Sequence, residues 1–177
     1  FILYSNRAEF PKALEVAKEF MALTEGSSDP ITRSTAYRMV AVTHRLMGEI
    51  AISRPFCERA LELAPDLADV KQVWRLTHDP GIAARYNLAV ILWHSGEVEL
   101  SLAMERDALQ RLGAQRISFD QGALRWEHVR RRVASGQLRA GDEIPSVREL
   151  AQELAVHPMT ISKAYSLLEL EGLLDRK

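Results

Sequence analysis

The sequence has little of what extracellular, membrane-embedded or strongly basic proteins carry. Cys57 is the only cysteine among 177 residues, so no intrachain disulfide can form and we expect a reducing compartment. No apolar run is long enough to cross a bilayer and no secretory signal pattern is present, so we expect a cytoplasmic protein without a membrane partner. The formal net charge of −1 argues against a globally basic chain but leaves room for a local basic face.

Catalytic and metal-binding patterns are also missing. The five histidines have neither HxxxH nor HExxH spacing, and no glycine-rich phosphate loop or triad signature occurs. We therefore expect no enzyme activity, no cofactor and no metal site. Cys57 falls at a packing position and is predicted to be a small buried side chain rather than a nucleophile.

Helical periodicity fills residues 8–112. Segments such as "AEFPKALEVAKEFMALTEG" and "VELSLAMERDALQRLG" place apolar residues three and four apart, and no alternating strand pattern occurs. Asp29 and Pro30 are predicted to cap one helix and open its first turn. The sequence therefore predicts a mainly α-helical fold.

The helices come in similar pairs. Gly48 and Gly96 align, each is followed by Glu, and an alanine lies twelve residues after each; in a third copy Ala8 takes the place of the glycine. A glycine in a tight turn, with small residues where helices cross, predicts packed helical hairpins stacked as a solenoid. The interval between the two glycines exceeds the ~34 residues of such a repeat, so residues from roughly 66 to 79 are predicted to form an inserted helix or loop.

These pairs resemble tetratricopeptide repeats. The matching positions are Tyr37, Val40, Ala41, Gly48, Ser53, Ala60 and Pro65, and then Leu88, Ala89, Leu92, Gly96, Ser101 and Ala108. The stretch "HDPGIAARYNLAVILWHSGEVELSL" is also similar to the repeat region of bacterial signalling ATPases and adenylate-cyclase-like regulators. The resemblance leaves two roles open for the repeats: a pure scaffold, or a concave groove that binds a peptide or another regulator.

Residues 114–123, "AQRISFDQGA", break the helical period and are predicted to be a linker with at most one small strand. We thus expect a repeat domain at 1–113 and a second domain at 124–177. The second domain opens with an amphipathic helix that carries Arg130, Arg131 and Arg132. Contact with phosphate and a solvated helix face are both open for these arginines.

Two short helices follow within the second domain. Ser146 and Glu149 have the spacing of a capping box at the start of "SVRELAQELA". "AVHP" is short enough only for a tight turn, and Pro158 suits the first turn of "MTISKAYSLLELE", which ends before Gly172. The apolar stripe of this helix comprises Ile161, Ala164, Tyr165 and Leu168, with Leu167 left open.

This spacing is that of a helix-turn-helix, in which the N-terminus of the second helix projects outward. His157, Met159, Thr160 and Lys163 fall on the face left free by the apolar stripe, where they can reach phosphates or base edges. Arg148 lies on the outer face of the supporting helix and is placed to hold the DNA backbone.

The segment "SGQLRAGDEIPSVRELAQELAVHPMTISKAYSLLELEGLL" resembles the DNA-binding domain of bacterial GntR-family transcription regulators, nearest to the YtrA-like subgroup. The resemblance implies a winged helix-turn-helix that binds double-stranded operator DNA as a homodimer. On the family pattern the residues at or near DNA would be Arg148, His157, Pro158, Met159, Thr160 and Lys163. The wing would follow "EGLL", beyond Lys177, so we expect a truncated, wingless domain in a piece of a longer protein. The alternative function is a repeat scaffold in signalling that does not bind DNA.

Overall fold

The structure, a computed structural model, describes residues 1–65, 79–115, 129–139, 141–153 and 158–175. For residues 112–115, 153 and 160 it describes the backbone alone. The described residues form helices and turns with no strand, which confirms the predicted helical class. The helices are α1 (Ile2–Asn6), α2 (Phe10–Thr24), α3 (Pro30–Leu46), α4 (Ile50–Leu63), α5 (Pro80–His94), α6 (Val98–Gln115), α7 (described over 129–134), α8 (Val147–Glu153) and α9 (Pro158–Leu170).

The chain divides into two compact units, Phe1–Glu97 and Val98–Lys177. In the first unit each helix packs on the next, from α1 to α5, and α5 also contacts α3. Contact between successive helices and between alternate ones is what a stack of helical hairpins produces. Residues 66–78 of the predicted insert and 116–123 of the predicted linker lie outside the described residues. Ala114 and Gln115, predicted to belong to the linker, instead continue α6.

Three tight turns with the same hydrogen bond end α1, α3 and α5. Ala8, Gly48 and Gly96 have φ values of 57°, 79° and 80°, all in the left-handed region. In each turn the amide of the next glutamate donates a hydrogen bond to the carbonyl oxygen five residues earlier: Glu9 to Tyr4 at 2.9 Å, Glu49 to His44 at 2.9 Å and Glu97 to Leu92 at 3.0 Å. Ala8 therefore does occupy the glycine position of a third copy, as the sequence alignment predicts.

An Asp-Pro pair begins both α3 and α5. The carboxylate of Asp29 accepts hydrogen bonds from the amides of Ile31 at 3.2 Å and Thr32 at 3.1 Å, and Asp79 accepts from the first-turn amides of α5 in the same way. The proline that follows each aspartate has no N–H, and the first turn of a helix needs none at that position. The predicted Asp29–Pro30 cap is confirmed, and a hydrogen bond from the Thr32 hydroxyl lowers the pKa of Asp29.

Small side chains fill the core of the first unit. Ala13, Ala17, Ala41, Cys57 and Ala60 are fully buried, which lets adjacent helices approach closely. The thiol of Cys57 donates to the carbonyl oxygen of Ala84 at 3.4 Å, so it joins α4 to α5. Burial raises the pKa of Cys57 to about 12. Cys57 is thus a buried packing residue, as predicted.

Candidate nucleic-acid interface

A compact apolar cluster holds the last three helices of the second unit together. Ala151 of α8 and Ile161, Tyr165 and Leu168 of α9 are buried in it. The partly buried side chains packed around them are Val129, Ile144, Val147, Leu150, Leu173 and Leu174. Because α9 buries a stripe at the helical period, its opposite face is fixed outward.

A reciprocal pair of hydrogen bonds begins α8. The amide of Glu149 donates to the Ser146 hydroxyl at 3.2 Å, and the amide of Ser146 donates to the Glu149 carboxylate at 2.8 Å. This is the capping box that the sequence predicts. The hydrogen bond from the Ser146 amide lowers the pKa of Glu149, because the bond favours the charged carboxylate. The capping box sets where α8 starts, and with it the outward position of Arg148.

The end and the middle of α9 are also fixed. Gly172, with a φ of 71°, directs the chain back so that the Leu173 amide donates to the Leu168 carbonyl oxygen at 2.9 Å. Both leucines belong to the apolar cluster, so hydrogen bonding and apolar packing end the helix together. The hydroxyl of Tyr165 donates to the carbonyl oxygen of Pro145 at 2.7 Å, which ties α9 to the chain that enters α8.

The N-terminal half of α9 offers an exposed face. Pro158 is exposed at its first position, the side chain of Met159 is 58% exposed, and Lys163 is exposed one turn further on. Residues four apart share one side of a helix, so Met159 and Lys163 point outward together. The same side continues into Leu167 and Leu170, both of which are exposed. Leu167, whose burial the sequence did not decide, is therefore a surface residue.

The remaining predicted DNA-contact residues are described less completely. Arg148 is exposed on α8, next to the capping box. Thr160 belongs to the first turn of α9, but only its backbone is described, and His157 lies outside the described residues. The exposed set therefore comprises two cations, Arg148 and Lys163, with Met159 and Pro158. Such a set can neutralise phosphates and make apolar contact with a base.

Arg131 is neither on a solvated helix face nor exposed for phosphate contact, the two possibilities that the sequence leaves open. Its side chain is 6% exposed, and its Nη1 donates to Oε1 of Glu105 on α6 at 2.9 Å. Glu105 is fully buried. Arg130, by contrast, is half-exposed, with its Nε 3.9 Å from Oε2 of Glu171. The sequence carried one signal for the buried pair: Glu105 is charged at a register position where the other hairpins have Ala17 and Cys57.

The part of the chain that the structure describes also bears on membrane and metal sites. No helix there is long and apolar enough to cross a membrane. No three His, Cys, Asp or Glu side chains there are grouped so that they could hold a metal ion.

Comparison with known proteins assigns the C-terminal segment. Residues 126–177 match the model of the gntR family of bacterial regulatory proteins. The HTH-type transcriptional repressor YtrA of Bacillus subtilis (strain 168) is 50% identical over 40 residues, which cover 23% of this chain and 31% of that protein. The vitamin B6 salvage pathway transcriptional repressor PtsJ of Salmonella typhimurium is 44% identical over 48 residues, covering 27% of this chain and 11% of that protein. The chain thus spans less than a third of the length of either relative.

A solved structure has a similar helical fold. It contains nearly identical TPR-like repeats assigned to a kinesin light chain of Podosopora anserina, with a TM-score of 0.62. The match covers 92% of this chain and 80% of that one at 16% identity, so it bears on the fold alone. Together with the capped pair α8 and α9, these comparisons show that residues 126–177 form a helix-turn-helix domain of the gntR family, in a chain that also has a TPR-like helical repeat region.

Proposed function

We propose that the protein is a transcription regulator that binds double-stranded operator DNA through α8 and α9. The observation that carries this proposal is the exposed N-terminal half of α9, on a helix whose other face is locked into an apolar cluster. A helix of 13 residues is about 20 Å long and fits along the major groove. The family match at residues 126–177 supports the same function.

Each exposed residue has a role in this proposal. Arg148 and Lys163 hold phosphates on either side of the groove, and the N-terminus of α9 favours a further phosphate. Met159 makes apolar contact with a base edge, and Thr160 and His157 donate hydrogen bonds to base edges or phosphate. Pro158 starts the helix without needing a hydrogen-bond partner for its nitrogen.

The proposal also covers the oligomeric state and the cellular compartment of the protein. A gntR-type domain reads a symmetric operator when two copies bind, so we propose that the complete protein acts as a homodimer in the cytoplasm. Its role is recognition and control rather than catalysis, and it needs no metal or cofactor to contact DNA.

Site selection followed by a salt titration tests DNA binding. Duplexes retained from a random-sequence pool are sequenced, and their affinity is measured by fluorescence anisotropy over a range of KCl concentrations. We expect log K to fall linearly with log [KCl], with a slope of about −0.9 for each phosphate contacted. The 177-residue chain and the complete gene product, if longer, are compared. The absence of binding by both, or binding without salt dependence, would rule out the proposed function.

The stacked hairpins favour a second function, binding of a peptide or a regulatory partner in the repeat groove. Repeat solenoids present extended concave surfaces of this kind. The two functions are compatible in one chain. A repeat scaffold that acts in signalling without DNA becomes the better account if the selection returns no duplex.

A further inference from the structure

Helix α6 belongs to the repeats by its sequence but to the second compact unit by its contacts. By sequence it is the second helix of the third hairpin, because Gly96, Ser101 and Ala108 repeat the register of Gly48, Ser53 and Ala60. By its contacts it belongs to the second compact unit, which starts at Val98 and also contains α7, α8 and α9.

At one repeat position α6 has a different type of residue from the second helices of the other two hairpins. Ala17, Cys57 and Glu105 each lie nine residues after Ala8, Gly48 and Gly96, and all three are fully buried. A carboxylate in that position is costly to desolvate unless a cation and hydrogen bonds compensate it. Arg131 of α7 supplies the cation at 2.9 Å, so Glu105 is suited to contact α7 rather than to repeat packing.

A second contact defines the direction in which α7 runs. The amide Nε2 of Gln137, just after α7, donates to both carboxylate oxygens of Glu99 in the first turn of α6, at 3.1 and 3.3 Å. Glu99 pairs with Gln137 and Glu105 with Arg131, so the numbering rises along α6 as it falls along α7. The two helices are therefore antiparallel.

The two sides of α7 face different partners. Val129 packs against the apolar cluster of α8 and α9, whereas Arg131, two residues later, bonds to α6. Residues two apart point to nearly opposite sides of a helix. Helix α7 thus lies between α6 and the helix-turn-helix core, and what holds α7 to α6 also holds α8 and α9.

We propose that α6 is the first structural helix of the DNA-binding unit and that Arg131, held by Glu105, is its positioning residue. The unit then begins at Val98, well before the family match at residue 126. Arg131 acts through α7 on the placement of α9 and does not touch DNA. The effect on operator affinity rests on the proposed function, whereas the structural role of the pair does not.

Hydrogen exchange of the full chain, followed by mass spectrometry, tests the structural role. Glu105→Met and Arg131→Met each remove one member of the buried ion pair and leave the other charge buried without it, so we expect exchange in α8 and α9 to quicken by roughly 100-fold or more. The double variant Glu105→Met/Arg131→Met replaces the pair by apolar side chains and should exchange nearly like the parent. Peptides from α3 and α4 should be unaffected in all three.

Matched controls are available on the same two helices. Asp107→Asn disrupts the part-exposed Asp107–Arg111 pair of α6, and Arg130→Met removes the half-exposed neighbour of Arg131. Both should leave exchange in α8 and α9 within a few-fold of the parent, as surface pairs do. Single variants at Glu105 and Arg131 that exchange like these controls would overturn the proposal, and so would a double variant as destabilised as the singles.

The salt dependence of DNA binding separates positioning from direct contact. Arg131→Met should weaken binding to a selected duplex without changing the slope of log K against log [KCl], and the double variant should restore the affinity. A slope smaller in magnitude by about 0.9, with normal exchange in α8 and α9, would make Arg131 a phosphate contact and refute its positioning role. If the parent protein binds no duplex but the single variants still show faster exchange in α8 and α9, the proposed function is refuted and only the structural role of the pair stands.

Discussion

The hydroxyl of Tyr165 donates a hydrogen bond to the carbonyl oxygen of Pro145, 2.7 Å away. These two residues are far apart in the sequence but lie on either side of α8. The bond therefore closes a loop around the supporting helix and fixes α9 against the chain that leads into it. Tyr165 also sits in the apolar cluster, so one side chain serves both packing and hydrogen bonding.

Tyr165→Phe should weaken the second unit without emptying the cluster. The ring stays, but a backbone carbonyl loses its donor, which costs roughly 1 kcal/mol of unfolding free energy. Hydrogen exchange in α8 and α9 should quicken accordingly. Tyr4→Phe, in the first unit, serves as the control and should leave that exchange unchanged. If Tyr165→Phe matched the parent, the hydrogen bond would contribute nothing to the stability of the unit.

Ala8→Gly should stabilise the first hairpin. Ala8 holds a φ of 57°, which is strained for any residue with a Cβ, and relief of that strain outweighs the added freedom of glycine in the unfolded chain. We expect a gain of roughly 0.5–1 kcal/mol. Gly48→Ala should lose a comparable amount through backbone strain alone, because nothing lies within 4 Å of the added Cβ.

The rate at which a thiol reagent labels Cys57 measures the stability of the first unit in both variants. Its pKa of about 12 and its burial keep the native thiol unreactive, so labelling reports opening of the first unit. Labelling should slow in Ala8→Gly and quicken in Gly48→Ala. Equal rates in the two variants would mean that the left-handed turns carry no strain.

The stability of the second unit should depend on the charge of Glu149. The folded pKa of Glu149 is lower than its ordinary value of 4.5, so its contribution is present above that pH and is lost as the pH falls through the lowered folded value. Glu149→Gln keeps a side chain that accepts a hydrogen bond but does not titrate. The difference in thermal midpoint between parent and variant should therefore shrink as the solution is acidified. A constant difference would contradict the role of the carboxylate.

Arg148→Ala and Thr160→Ala should affect DNA binding in different ways. Loss of a phosphate contact at Arg148 should weaken binding to all duplexes and reduce the salt slope in magnitude by about 0.9. Loss of a base contact at Thr160 should cost roughly 1–3 kcal/mol on the selected site and little on other sequences. Lys18→Ala, which removes an exposed cation from α2 in the first unit, is the control. Variants of Arg148 and Thr160 that bind like the parent would place the DNA face elsewhere.

Local patterns explain what the sequence could predict. The capping box at Ser146, the helix stop at Gly172 and the turns at Gly48 and Gly96 each depend on a few adjacent residues. Their residue types admit few other backbone conformations. The same reasoning identified Ala8 as the odd member of a set of three, and the outward position of Lys163 follows from the apolar stripe of α9.

Contacts between distant segments explain what the sequence could not. Three consecutive arginines give no sign of which one is buried, and only the pairing of α6 with α7 selects Arg131. Leu167 was equally open, because the width of an apolar stripe depends on which neighbours cover it. In both cases the answer lies in tertiary packing, which helical periodicity does not encode.

The buried pair of Glu105 and Arg131 also limits how such a chain could arise by recombination. A crossover in the segment between α6 and α7 would join a repeat array from one ancestor to a regulator domain from another. An ordinary repeat helix, with alanine or cysteine at the position of Glu105, would leave the guanidinium of Arg131 buried without its carboxylate. The two residues are thus expected to have changed together, and homologues that contain both regions should carry both residues or neither.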